Sequence, residues 1–228
     1  MKHSGKARKS AFKLILIALI AAGVIGAIGG VVFRGGCIGT PFLGGVSLLW
    51  VLFTVFTLYF FRDPDARVPA GTNLVLAPGH GKVDVIGTTT EPDFMGGECQ
   101  RVSIFLSVFD VHVQNAPVSG KLAYYKYTTG QFLNALKAES AIYNENALLG
   151  FEASEPRGRK VGVRLIAGLI ARRIVPFARQ GDEVVRGDRV SLIQFGSRAD
   201  VYLPRNARIK VRLNDRVIGG ETVLAVFE

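Results

Sequence analysis

The sequence predicts a mainly β protein: two N-terminal transmembrane helices, then a β-sandwich or barrel-sandwich-like domain with internal duplication and one or two short helices. Three observations predict this class. Residues 14–33 and 42–61 form two long uncharged stretches, short apolar runs separated by Gly, Pro, Asn and Asp follow Phe61, and short motifs recur further on. A membrane-spanning helix needs about 20 apolar residues, and apolar runs between turn residues are typical of all-β domains.

The charge distribution supports the two spans. The net charge is +10, and the segment that ends at Phe61 contains no acidic residue but six Lys or Arg. A basic excess beside apolar sequence indicates membrane topology rather than nucleic-acid binding, so no nucleic-acid partner is expected. A cleaved signal peptide is the alternative, but its apolar core would be shorter than these stretches.

The positions of the basic residues predict the orientation. Five Lys or Arg precede the first stretch and Arg62 and Arg67 follow the second, whereas the connection contains only Arg34. By the positive-inside rule, both ends face the cytoplasm, on the inner side of the cell membrane. We therefore divide the chain into a basic cytoplasmic N-terminus (1–13), a two-helix membrane hairpin (14–61) and a β domain (62–228).

Ten strands and one short helix are expected in the β domain. The helix is predicted at 130–139. The predicted strands are 73–77, 82–86, 100–108, 121–127, 147–153, 160–167, 189–195, 199–203, 208–213 and 222–227.

Two pairs of repeats predict the duplication. The pattern A-P-x-x-G-K-apolar occurs at 77–83 and again at 116–122, and G-D-x-V occurs at 181–184 and 187–190. Such glycine corners resemble those of biotinyl and lipoyl carrier domains. A carrier needs a lysine at its hairpin tip, and no lysine lies between Lys160 and Lys210.

Common catalytic motifs are missing. The chain has no nucleotide-binding G-x-x-x-x-G-K-[ST], no G-x-S-x-G and no zinc-ligand spacing, so no metal site is expected. Three short segments remain as candidates, and they contain His80, His112 and Ser197. Without further information each fits a structural role, because histidines near strands are often hydrogen-bonded core residues and a serine after glycine can occupy a bulge.

Together these segments resemble the phosphatidylserine decarboxylase family in its short bacterial and archaeal form. The resemblance covers nearly the whole chain in one order. The matching segments are FFRDP at 60–64, LAPGHGKVDVIG at 76–87, VSIFLSVFDVHVQNAPVSG at 102–120, YNEN at 143–146, IAGLIARRIV at 166–175, GDEVVRGDRVSLIQFGSR at 181–198 and ADVYLP at 199–204. FDVHVxxxPVxG followed by the distant FGSR is the specific combination.

The resemblance implies a zymogen that cleaves itself between Gly196 and Ser197. The serine hydroxyl would attack the preceding carbonyl, and β-elimination of the ester would leave a β chain (1–196) and an α chain (197–228) that begins with a covalent pyruvoyl group. That cofactor, derived from Ser197, would form a Schiff base with the amine of phosphatidylserine and accept electrons as CO2 leaves. The product would be phosphatidylethanolamine, which places the protein in phospholipid biosynthesis.

The resemblance also implies roles for two histidines. His112 matches the family histidine beside the substrate, which would protonate the carbanion after CO2 leaves. In the long form of the family, the base for self-cleavage is a second histidine three residues later, oriented by an aspartate in a P-x-D-G turn. Here Asn115 and His80 stand at those positions. Our hypothesis is that His80 is the base, which requires the 77–83 corner to pack against 195–198.

The lipid headgroup implied by the resemblance is anionic overall, so a cationic pocket is expected. Arg198, Lys121, Arg172 and Arg173 are candidates on charge alone. Two other functions remain open: an archaetidylserine decarboxylase, and a non-enzymatic membrane-tethered β-sandwich adaptor, which self-cleavage would exclude. The expected partners are phosphatidylserine, membrane lipid and the second chain of the same proenzyme, and assembly into a homo-oligomer is left open.

Overall fold

The computed structural model describes residues 2–33, 39–130, 144–168, 173–194 and 197–228. It divides into two units. One unit comprises Gly5–Asp63, and the other comprises Pro64–Glu228 together with the first four residues. Each unit is described separately below.

The first unit contains two helices, α1 (Lys6–Val32) and α2 (Gly39–Phe60). Both are long and apolar enough to cross a membrane. The apolar stretch of each helix is almost entirely exposed, with little of it packed against other parts of the protein. The helix α1 begins before the uncharged stretch, because the intervening Ala, Lys and Arg favour helix. The predicted connection falls largely on 34–38, outside the described residues.

Small residues bring the two helices together. The ring of Phe42 packs on Gly29, and a Cβ built at Gly26 would lie 3.4 Å from the Leu43 side chain. Because lipid offers no hydrophobic driving force between helices, close backbone approach at glycines supplies the packing. The expectation of two paired apolar helices is met.

The second unit is built of strands. They are β1 (Leu74–Leu76), β2 (Gly81–Glu91), β3 (Gly97–Leu106), β4 (Val113–Asn115), β5 (Gly120–Thr128), β6 (Asn146–Ser154), β7 (Arg157–Ala167), β8 (Arg173–Pro176), β9 (Glu183–Val184), β10 (Arg189–Gln194), β11 (Ser197–Leu203), β12 (Arg208–Ile209), β13 (Arg216–Val217) and β14 (Val223–Val226). All ten predicted strands are present. Four were missed, β4, β8, β9 and β13, because such short strands show no periodicity. The helix predicted at 130–139 lies, from residue 131 onward, outside the described residues.

The described strands form three antiparallel sheets around a main hydrophobic core. The largest sheet is curled and has the order β13-β2-β3-β11-β7-β6-β5-β9, and the two small sheets have the orders β1-β14-β12 and β4-β10-β8. Alternate residues of the large sheet, such as Ile104, Leu165 and Ala199, are fully buried in a core that also takes Ile193 and Leu224 from the small sheets. The predicted mainly β, sandwich-like class is confirmed.

The predicted duplication is confirmed by a pseudo-twofold pattern of hydrogen bonds. We call residues 74–106 with 197–226 the discontinuous half, and 113–194 the continuous half. The Leu76 N–H donates to the carbonyl of Pro117 at 2.9 Å, and the Asn115 N–H donates to the carbonyl of Pro78 at 2.7 Å. In the repeated corners, residue 76 is equivalent to residue 115, and residue 78 is equivalent to residue 117. When equivalent residues are exchanged, each of these two hydrogen bonds is converted into the other.

The C-terminal parts of the two halves repeat the pattern under a second offset, which relates Gly220 to Gly187. Ala77 bonds through both its backbone groups to Gly220 and Thr222, and Ala116 does so with Gly187 and Asp188, where the second partner is one position before the equivalent of Thr222. The sheet order is itself palindromic, with β13 and β9 at equivalent edges. The chain therefore contains two copies of one β unit.

The chain crosses between the halves at only two places in this arrangement. It leaves the discontinuous half after Leu106, through 107–112, and returns through 195–196 to begin β11 at Ser197. Ser197 pairs with Leu106, so both crossings meet at the same end of the β3–β11 pair. His112 and Ser197, two candidates from the sequence, lie at these crossings.

Candidate active site

Ser197 is the first residue of β11 and is completely buried. It lies opposite Leu106 of β3 on one side and Ala167 of β7 on the other. Its side chain shares the core face with Ala199, because side chains alternate along a strand. Its Oγ has no hydrogen-bond partner among the described residues, which is unusual for a buried hydroxyl. Gly196, the other residue of the predicted cleavage bond, lies outside the described residues.

The crossing at 107–112 is held in shape by Asp110. One carboxylate oxygen of Asp110 accepts hydrogen bonds from the Ser107 N–H at 2.9 Å and the Ser107 hydroxyl at 2.7 Å. The other carboxylate oxygen is 2.5 Å from the Arg216 guanidinium on β13. Asp110 therefore closes the crossing on itself through Ser107, and it also attaches the crossing to β13 at the edge of the large sheet.

This loop fixes the imidazole of His112. The ring is fully buried, and its Nδ1 lies 2.9 Å from the Asp110 carbonyl oxygen. A carbonyl can only accept, so Nδ1 carries the proton of the neutral ring and Nε2 is the nitrogen able to take up another. The Ile193 N–H donates to the His112 carbonyl at 3.1 Å, which anchors His112 to a residue that precedes Ser197 closely in the chain.

His80 lies at the corner that packs on the same end of β3. A Cβ built at Gly79 would lie 3.4 Å from the Leu106 side chain, and one at Gly81 would overlap the Phe105 carbonyl. Leu106 and Phe105 are the β3 partners of residues 197 and 198. The corner containing His80 therefore packs on the strand that pairs with the start of β11.

Asn115 connects the two repeated corners. Its side-chain amide donates to the Gly187 carbonyl at 2.7 Å, and a Cβ built at Gly219 would lie 3.0 Å from its side-chain oxygen and 3.1 Å from the His80 ring. The side chains of Asn115 and His80 therefore both lie next to Gly219. Its own amide is engaged in holding the fold.

Arg198 does not face the same side as Ser197. It is buried and forms an ion pair with Asp84 on β2, on the sheet face opposite the core. Burial raises the pKa of Asp84, and the charge of Arg198 partly opposes that rise. The guanidinium is therefore committed to Asp84, and we do not retain Arg198 as a headgroup ligand.

Lys121 is exposed at the end of the large sheet that lies far from Ser197. It pairs with Glu152, whose β7 neighbour is Lys160, whereas Ser197 pairs with Ala167. The distance along β7 between those two positions is about 23 Å, at the usual rise of a strand. The assignment of Lys121 to the headgroup site, made on charge alone, is not supported by this placement.

Of the predicted cations that lie in the described residues, Arg173 is the one near Ser197. It is exposed at the start of β8 and pairs with Gln194, three positions before Ser197. Arg172 lies outside the described residues. The small sheet therefore places His112 on one side of β10 and Arg173 on the other.

Three further residues, which had no predicted role, connect the β7 partner of Ser197 to the start of β8. The Asn144 amide donates at 2.7 Å to the carbonyl of Ala167, the β7 partner of Ser197. Glu145 accepts from the Ile174 N–H at 3.3 Å. Partial burial, and then the hydrogen bond to Glu145, raise the pKa of Tyr127 to about 12, so its hydroxyl stays protonated. The YNEN segment, which spans 143–146, was the available signal for Asn144 and Glu145.

No cluster of three or more His, Cys, Asp or Glu side chains able to hold a metal occurs in the described part of the chain. What the site brings together is a buried hydroxyl without a described partner, a buried imidazole of fixed tautomer, and a cation with a neutral phenol at its edge. This set suits proton transfer and the binding of an anionic substrate.

Comparisons with known proteins show which family this chain resembles. The model of the phosphatidylserine decarboxylase family matches residues 53–225. The phosphatidylserine decarboxylase proenzyme of Desulfotalea psychrophila is 44% identical over 78% of this chain and 83% of its own length. Those of Geobacter metallireducens, 44% identical over 76% and 78%, and Symbiobacterium thermophilum, 40% identical over 82% and 92%, are similar.

Proposed function

The chain belongs to the phosphatidylserine decarboxylase family and is a decarboxylase, and we propose that it converts phosphatidylserine to phosphatidylethanolamine and CO2 after cleaving itself between Gly196 and Ser197. The observation that carries the proposal is the buried Ser197 hydroxyl without a described partner, at the point where both crossings between the halves meet. Family membership makes a non-enzymatic adaptor the wrong description of this chain.

The surroundings of Ser197 fit a pyruvoyl group. The side chain is enclosed by core residues, and no described partner would be lost if the hydroxyl were removed. Leu106 and Ala167, on the two neighbouring strands, would enclose the group from both sides. When present, this group supplies a carbonyl that accepts the electron pair left on the substrate as CO2 departs.

Self-cleavage needs only the chain itself and one water molecule. The Ser197 Oγ attacks the Gly196 carbonyl carbon, and the peptide C–N bond breaks as the nitrogen takes a proton and an ester forms. Removal of the Ser197 α-proton then breaks the Cβ–Oγ bond and releases Gly196 as a carboxylate. Water hydrolyses the remaining enamine, through its imine tautomer, to the ketone and ammonia. We assign the base for the first step to His80.

The α chain would stay in place after cleavage. Every residue of β11 is paired with β3, and all but the last are paired with β7, and both of these strands belong to the β chain. Backbone ladders on both sides of a buried strand resist separation. The new N-terminus therefore remains fixed relative to His112.

His112 and Arg173 complete the proposed site. With Nδ1–H held by the Asp110 carbonyl, Nε2 of His112 would carry the proton that is delivered to the substrate carbon after CO2 leaves. Arg173, beside Gln194, would bind the phosphodiester or carboxylate, and the protonated Tyr127, hydrogen-bonded to Glu145, adds no negative charge beside it. Both groups lie at an exposed edge, where a headgroup can enter.

The two apolar helices would anchor the enzyme in the membrane that contains its substrate. The basic flanks of the helices support an orientation with the β unit on the cytoplasmic side. Ester- and ether-linked lipids share the serine headgroup, and no described feature of the site favours the archaetidylserine alternative.

Intact-protein mass spectrometry tests the proposal. We expect two chains, 1–196 and 197–228, with a carbonyl in place of the amine at the N-terminus of the shorter one, and release of CO2 from phosphatidylserine. Ser197→Ala, which adds no bulk to the core, should remain a single chain without activity. A wild-type chain that stays intact and releases no CO2 would refute the proposal.

A further inference from the structure

One edge of the β unit carries exposed apolar side chains among cations. Phe109, Leu213 and Ile218 are 66%, 54% and 47% exposed. Lys82, Arg212 and Arg216 are also exposed. We refer to these six residues as the docking surface.

Backbone pairing and one ion pair place these residues together. Arg216 pairs with Lys82 across β13 and β2, and its guanidinium reaches Asp110, the residue after Phe109. The turn at 212–215 is attached to β2, because the Asn214 N–H donates to the Val83 carbonyl at 2.8 Å. The docking surface therefore continues into the crossing that holds His112.

The fold does not require the residue types of Leu213 and Arg216, whereas Arg212 and Ile218 have residues of the same type, Arg179 and Val185, at the equivalent positions. In the continuous half the same backbone hydrogen bonds recur at the equivalent positions, and the Arg212 and Arg179 N–H groups each donate to the aspartate three positions later at 2.8 Å. Yet the position of Leu213 is occupied there by Gln180, and that of Arg216 by Glu183. The discontinuous half thus has an apolar residue and a cation where the continuous half has a polar and an acidic residue.

We propose that the docking surface rests on the anionic surface of the lipid bilayer and so directs the active site towards the headgroups. Exposed apolar side chains surrounded by Lys and Arg are the composition that inserts at an anionic interface. Pairing of this edge with a second copy of the chain explains the surface less well. The edge strand β13 is so short that it offers few backbone groups to a partner strand. The proposal rests on the proposed function, since it concerns access to that same site.

The test compares one substrate in two physical states. Full-length wild type and the variant Arg212→Gln/Leu213→Gln/Ile218→Ser are assayed on phosphatidylserine in vesicles and on a short-chain phosphatidylserine below its micelle concentration. These positions leave Phe109 and the Arg216–Asp110 pair intact. The control is Arg179→Gln/Val185→Ser, equivalent exposed positions of the continuous half, Val185 being 61% exposed.

We expect the docking variant to lose about tenfold in rate on vesicles, and to lose the acceleration by added phosphatidylglycerol, with an unchanged rate on the dissolved lipid. The control should match wild type on both substrates. Equal loss on both substrates, equal loss in the control, or a change from dimer to monomer with the docking variant would overturn the docking proposal. Absence of CO2 release by wild type from either substrate would instead overturn the proposed function, and this inference with it.

Discussion

The corners at 77–83 and 116–122 share a sequence pattern, backbone hydrogen bonds and a bulge at the following position, but they differ in chemistry. Where the first has His80 the second has Ser119, whose hydroxyl accepts the Arg186 N–H at 3.0 Å. At the bulge, Asp84 of the first corresponds to Ala123 of the second. The backbone tolerates either residue at each position, so the shape of the corner does not dictate these side chains.

The two halves also differ where their long strands end. In the continuous half, β6 and β7 are closed by a turn at Glu155–Pro156. In the discontinuous half, the corresponding ends of β3 and β11 are open, because the continuous half is inserted between them. The site occupies the place where the other half has a simple turn, and this explains why a duplicated fold carries one candidate site.

The largest effect on activity is expected at the crossing that contains His112, rather than at the repeated corners. His112→Ala should lower the rate of decarboxylation about 10²- to 10⁴-fold, because the proton donor is removed, while self-cleavage proceeds. Intact mass and CO2 release from the same preparation measure both. Normal CO2 release by a cleaved His112→Ala protein would rule out the role of His112.

The next prediction compares equivalent corner positions. His80→Ala should slow self-cleavage about 100-fold, since the proposed base is lost. Ser119→Ala should leave the cleavage rate unchanged and cost about 1 kcal/mol of stability through the lost hydrogen bond from Arg186. Pulse-labelled conversion of proenzyme to two chains gives the rates. If His80→Ala self-cleaves normally, another group is the base.

A third prediction concerns the ion pair that only the discontinuous half contains. Asp84→Ala leaves Arg198 buried without its carboxylate, so we expect a loss of about 2–4 kcal/mol in unfolding free energy. Glu98→Ala, which breaks the exposed pair with Arg205 at 3.0 Å, should cost less than about 1 kcal/mol. Thermal unfolding in detergent compares them, and equal losses would contradict the burial argument.

The smallest effect is a pH dependence at the seam between the halves, where Asp200 of β11 pairs with Arg164 of β7. Burial raises the pKa of Asp200 above 3.8. The folded state then holds the proton more tightly than the unfolded state, so this contribution to stability is complete below about pH 4 and is lost as the pH rises through the raised pKa.

Asp200→Asn removes that titration. The unfolding free energy of wild type, relative to the variant, should therefore fall as the pH rises above about 4, as measured by denaturation in detergent at several pH values. The charge of Asp200 also contributes to the raised pKa of Asp84, so the variant removes that contribution as well, and the difference between the two proteins reports both effects. Parallel pH profiles for the two proteins would show that Asp200 does not titrate in this range.

Much of the candidate site was predictable, because its residues stand in distinctive local patterns. The segment at 109–112 and the pair Gly196–Ser197 single out His112 and Ser197. The headgroup cations were predicted from charge alone, and charge does not reveal which face of a strand a residue occupies. Arg198 occupies the face opposite Ser197 and Lys121 lies at the far end of the sheet, and charge alone predicts neither placement, whereas Arg173 is near Ser197 because β8 pairs with β10.

The sequence by itself determined the two apolar helices, ten of the strands and the duplication, because each depends on local composition or on repeats along the chain. Only the tertiary structure decided that β11 lies between β3 and β7, that both crossings meet at Ser197, and that Arg198 pairs with Asp84. These features depend on strand order and register between residues far apart in the chain, as with Leu106 and Ser197. Such pairings are selected by burial of the whole core, which no local pattern records.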